Sequence, residues 1–112
     1  DKSDFILPSV IQQGDLILAV STSGTSPALA KQIRKDLEQM FGEEYAVILK
    51  VMGNVRKRML ACGHDPGEHK RIFYSLIEQG LFELIKKKDE PGINRLLAEL
   101  PGGEYRYPDL IT

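Results

Sequence analysis

A chain of 112 residues, 42% of them apolar and 28% charged, has the composition of a soluble globular protein and the length for one compact domain or two small ones. Fifteen basic against sixteen acidic side chains leave a formal net charge of −1, so the overall field holds neither nucleic acid nor an anionic membrane surface, and any anion site must be local. No apolar run approaches bilayer-spanning length, Asp1-Lys2-Ser3-Asp4 lacks the basic and apolar regions of a signal peptide, and the single cysteine, Cys62, excludes an internal disulfide; a cytoplasmic protein is expected.

Phe5 to Ile11 and Leu16 to Val20 are apolar runs separated by the polar cluster Gln12-Gln13-Gly14-Asp15, which predicts a β-hairpin. Pro8 cannot donate to a ladder, so the first strand should be an edge or be bulged near its middle, which leaves an edge available to a partner. The apolar start without an initiator methionine suggests a piece of something longer.

Ser21-Thr22-Ser23-Gly24-Thr25-Ser26-Pro27 lies between the second apolar run and a segment of helical spacing, and so reads as a strand-to-helix turn. Ser26 is its natural N-cap and Pro27 its first helical residue. The first N–H groups of a helix lack partners and carry the positive end of its dipole, and Gly24 allows close approach. The stretch therefore reads as a pocket for a phosphate- or carboxylate-sized anion, with Lys31 the one cation within about a turn of the helix start. The plain alternative is a set of residues that only caps the helix.

Leu29, Ile33, Leu37, Met40 and Phe41 recur at steps of three and four and predict an amphipathic helix that Gly42 stops as its C′ residue. A second helix should carry Tyr45, Ile48, Leu49, Met52, Val55 and Met59 on one face, weakened locally by Gly53. Asp65 and Pro66 should open a third helix with the stripe Ile72, Phe73, Leu76 and Ile77. Leu81, Leu84 and Ile85 continue that stripe past Gly80, through a kink or as a separate helix. Asp89-Glu90-Pro91 opens a last helix with Ile93, Leu96, Leu97 and Leu100, and the tail from Glu104 to Thr112 shows no period. The expected fold class is α+β, an N-terminal hairpin followed by a mostly helical part.

Other candidate chemistry is weak. Cys62, His64 and His69 offer too few ligands at Cys-x-His spacing for a structural zinc, which normally takes four, so no metal is expected. A nucleophilic triad built from Ser23, one of the histidines and an aspartate lacks the Gly-x-Ser-x-Gly elbow. Lys86-Lys87-Lys88 reads as a solvated helix end, with no aromatic residues interleaved as nucleic-acid binding would favour.

Phe5-Ile6-Leu7-Pro8-Ser9 with Gly14-Asp15-Leu16, then Ala19-Val20-Ser21-Thr22-Ser23-Gly24-Thr25-Ser26-Pro27-Ala28-Leu29-Ala30 followed by Ile33-Arg34-Lys35, form two motifs in a definite order. Together they resemble the precorrin-2 dehydrogenase and sirohydrochlorin ferrochelatase module of siroheme synthases, specifically over roughly the first forty residues and in architecture only beyond them. The resemblance implies oxidation of precorrin-2 to sirohydrochlorin with NAD as hydride acceptor, then insertion of ferrous iron, the second substrate. It also implies a homodimer. Residues 1–42 would be the central dimerisation and substrate-loop region, 43–112 the helical domain, and Ser21, Thr22, Ser23, Gly24, Thr25, Ser26 and Lys31 the tetrapyrrole-binding residues. The substrate is a polycarboxylate, which agrees with the anion reading of the loop.

Two departures accompany the resemblance. The glycine-rich dinucleotide fingerprint is absent, and the family's catalytic aspartate belongs to an Asn-x-x-Asp segment that neither Asp1 nor Asp4 matches, so NAD would bind a preceding domain and this chain alone would be inactive. Some homologues have serine at the place of Thr22. Two other readings stand beside this one: the phosphosugar loop of sugar isomerase domains, which further parallel strands should follow, and a non-catalytic dimerisation module.

Overall fold

The computed structural model describes residues 7–63, 65–101 and 105–111. Strands β1 (Ser9–Gln13) and β2 (Leu16–Val20) pair antiparallel, with Ser9 opposite Val20 and Gln13 opposite Leu16. Their connection is Gly14-Asp15, with Gly14 at φ +60°, the left-handed first position of a type II′ turn. A Cβ on Gly14 would lie 2.8 Å from the Cβ of Ala46, so the tip of the hairpin leaves room for glycine alone. Pro8 precedes β1 and stays out of the ladder; β1 is an edge of the two-stranded sheet, the first of the two expected alternatives, and Gln12 and Gln13 belong to the strand instead of the turn. Phe5 and Ile6 lie outside the described residues.

Alternation gives the hairpin two faces. Ile11 is buried, with Leu16, Leu18 and Val20 half-buried on its side, while Val10, Ile17 and Ala19 face outward and are exposed. Helix α1 (Pro27–Met40) packs on both strands. Its covered side carries Ala30, Ile33 and Leu37, whereas Leu29 and Met40 are 52% and 63% exposed. The expected stripe is therefore rotated toward Ala30. A small residue at the contact lets the helix backbone approach the sheet, and alanine carries too little hydrophobic signal to mark that face. Gly42 does not have a left-handed φ; α1 ends instead at Phe41, whose N–H donates to the carbonyl of Leu37 at 2.8 Å.

The chain forms two compact units, Asp1–Ala46 and Val47–Thr112. In the second, helix α2 (Glu44–Ala61) buries Ile48, Val51, Val55 and Met59, at the three- and four-residue spacing of one helix face. Val51 takes the core position, with Leu49 and Met52 half-buried to either side. Helix α3 (Pro66–Glu78) buries His69 and Leu76; Ile77, expected in its stripe, is 40% exposed. The side chain of Asp65 makes no cap bond, and its carbonyl accepts from the N–H groups of Glu68 and His69 instead.

At Gly80 the chain turns left-handed, so α4 (Leu81–Lys86) is a separate helix and not a kinked continuation. Helix α5 (Glu90–Leu97) starts where the Asp89 carboxylate accepts from the N–H of Gly92 at 3.1 Å, and it buries Ile93, Leu96 and Leu97. Part of the tail is helical. Its short helix α6 (Tyr107–Leu110) packs beside α5, Asn54 donates through Nδ2 to the carbonyl of Leu110 at 2.6 Å, and the Tyr107 N–H donates to Oδ1 of Asn94 at 2.7 Å. The fold class is α+β, a two-stranded antiparallel hairpin followed by a mostly helical chain.

Candidate functional site

The loop between β2 and α1 contains a turn on Thr22 to Thr25, closed by the Thr25 N–H donating to the carbonyl of Thr22 at 3.0 Å. Its central residues, Ser23 at φ +58° and Gly24 at φ +79°, are both left-handed, as a type I′ turn requires. For Gly24 this is inexpensive; Ser23 takes the conformation at a cost that residues with a Cβ normally avoid.

The hydroxyls of the loop divide by orientation. Thr22 is half-buried, and its Oγ1 accepts from the N–H of Ser26 and donates to the carbonyl of Ser26, both at 3.0 Å. Ser21 Oγ accepts from the N–H of Ser23 at 3.1 Å, and Ser26 Oγ accepts from the N–H of Leu29 at 3.2 Å, the N-cap bond expected of that position. Ser21, Thr22 and Ser26 therefore hold the loop and the helix start together. Capping and internal bracing account for half of the polar stretch.

The remainder faces solvent. Ser23, Gly24 and Thr25 are exposed, and the hydroxyls of Ser23 and Thr25 and the N–H groups of Gly24 and Ala28 have no hydrogen-bond partner among the described residues. Pro27 supplies the first helical position without an N–H, and the first turn of α1 contains no acidic residue to oppose an incoming anion. Lys31, the fifth residue of α1, is exposed and makes no ion pair among the described residues; Arg34 is engaged by Glu38 at 3.1 Å. This geometry suits a ligand with several acceptor oxygens. Ala28 is the donor that side-chain reading misses, because its contribution is a backbone N–H at the second position of the helix.

The other titratable candidates occupy the helical unit. His69 is 3% exposed and stacks on Phe73 with ring centroids 6.5 Å apart, which is the setting of a core residue. His64 lies outside the described residues. Among the described residues no group of three or more His, Cys, Asp or Glu side chains could hold a metal ion. Tyr105 is buried beneath the guanidinium of Arg58, 5.6 Å from the ring centroid, and its hydroxyl has no hydrogen-bond partner among the described residues. Burial pushes its phenol above the ordinary tyrosine range, with nearby Cys62 adding and Arg58 opposing. Burial, then Glu90, raises Tyr107 likewise.

A dinucleotide is normally held at the carboxyl ends of parallel strands, over a glycine-rich turn. The sheet among the described residues is one antiparallel hairpin, so the residues present do not fit NAD. The same sheet lacks the further parallel strands that the sugar isomerase reading requires. No helix among the described residues is long and apolar enough to cross a membrane.

Residues 13–40 match the family model for the sirohaem biosynthesis protein central domain, a span that takes in β2, the loop and α1. The chain is 29% identical over 100 residues to siroheme synthase 3 of Aeromonas hydrophila subsp. hydrophila and 30% identical over 99 residues to the siroheme synthase of Salmonella paratyphi B. Each alignment takes in 88% of this chain, which spans 21% and 22% of the length of those relatives. A solved structure of a precorrin-2 dehydrogenase, SirC, shares the fold with a TM-score of 0.67 and 22% identity, over 86% of this chain and 48% of that one. The chain is thus similar along most of its length to siroheme synthases and, around the loop, to the central part of sirohaem biosynthesis proteins.

Proposed function

We propose that this chain is the central and helical part of an enzyme that oxidises precorrin-2 to sirohydrochlorin with NAD and inserts ferrous iron, and that its loop holds carboxylates of the tetrapyrrole. The observation that carries the reading is the outward row of donors at Ser23, Gly24, Thr25 and Ala28, unpartnered among the described residues and within the span that matches the family model. The Gly24 and Ala28 N–H groups are already fixed by the turn and the helix start, so an anion that binds them adds little ordering cost. Ser21, Thr22 and Ser26 fix the loop, and Lys31 adds charge at its rim. Residues 1–42 serve as the dimerisation and substrate-loop region and 43–112 as the helical domain.

The same proposal assigns the catalytic aspartate and the NAD site to another part of the longer protein, so this chain alone is inactive. It works as a cytoplasmic homodimer. The outward face of the hairpin supports self-association: Val10 and Ile17 are 51% and 61% exposed, and Ala19 continues the apolar strip.

Titration separates the readings. Sirohydrochlorin added to the chain should shift the amide resonances of Gly24, Thr25 and Ala28, and a sugar phosphate at the same concentration should not. The reverse pattern would favour the phosphosugar reading, and no shift with either ligand would reduce the loop to a helix cap.

A further inference from the structure

We draw no further inference here: the strongest candidate, the shallow groove of the helical unit lined by Gln79, Leu84, Asp89, Arg95, Leu96 and Glu99, is an unpartnered face of mixed charge, and nothing in the structure shows what covers it.

Discussion

Replacing Thr22 by valine keeps the shape of the side chain and removes the hydroxyl that joins both ends of the loop. That hydroxyl makes two hydrogen bonds to Ser26, one with the N–H and one with the carbonyl, each 3.0 Å long. A typical intramolecular hydrogen bond contributes about 0.5–1.5 kcal/mol net, so Thr22→Val should cost about 1–3 kcal/mol, toward the upper end because the half-buried Ser26 N–H loses its acceptor. Thr22→Ser keeps both bonds and loses one methyl group, a cost below about 1 kcal/mol. The difference between the two variants therefore measures the hydroxyl. Urea unfolding followed by circular dichroism should rank parent, serine and valine in that order, with valine clearly lowest. A valine variant as stable as the serine variant would show that Thr22 does not brace the loop, and the division into inward and outward hydroxyls would fall with it.

Three further outcomes follow from particular residues. Lys88 sits at φ +58° after α4, with its N–H donating to the carbonyl of Ile85 and that of Asp89 to the carbonyl of Leu84, the pair of bonds in which glycine usually holds the C′ place. Lys88→Gly should relieve a left-handed conformation that costs residues with a Cβ about 1–2 kcal/mol and, less the entropy of glycine, stabilise the chain by about 0.5–1 kcal/mol; a loss of stability on thermal unfolding would refute this. Tyr105 keeps its proton to higher pH in the folded chain than in the unfolded one. Its contribution is thus fully present below the ordinary tyrosine range near pH 10 and is lost as pH rises through the raised pKa. Tyr105→Phe also deletes a buried hydroxyl that has no partner among the described residues, so it should match or exceed the parent's stability at pH 7 and flatten the alkaline loss, and a destabilised variant with an unchanged alkaline profile would contradict both points. Ile17→Asp on the exposed sheet face should convert the proposed homodimer to a monomer in sedimentation; a parent that is already monomeric at high micromolar concentration, or a variant that remains dimeric, would remove the assignment of that face.

Much of the fold is legible in the sequence because its signals are local. Gly14 marks the hairpin tip, Ser26 and Pro27 mark the start of α1, and Asp89 marks the start of α5, each through chemistry confined to a few neighbouring residues. What escapes depends on distance or direction. Helix α6 is held by partners far away in the chain, Asn54 with Leu110 and Asn94 with Tyr107, and no periodicity encodes such bonds. The covered face of α1 turns on Ala30, which counts weakly as apolar. In the loop, sequence reading finds the polar residues but cannot tell inward from outward, since serine and threonine offer the same group either way. Thr22 points in and Thr25 points out only because Ser23 and Gly24 turn left-handed between them.

The claim that the loop binds carboxylates is tested most directly by comparing Gly24→Val with Ser23→Ala in the sirohydrochlorin titration, both variants first shown to be folded by circular dichroism. Ser23→Ala removes one outward hydroxyl and leaves the backbone donors, so it should weaken binding by the worth of about one hydrogen bond, roughly 0.5–3 kcal/mol depending on charge. Gly24 is exposed at φ +79°, where a β-branched side chain both resists the conformation and blocks approach to the N–H groups. The account predicts that Gly24→Val lowers affinity more than Ser23→Ala and abolishes the shift at the Gly24 and Ala28 positions. A folded Gly24→Val variant that binds sirohydrochlorin with parental affinity would contradict it and place the tetrapyrrole elsewhere.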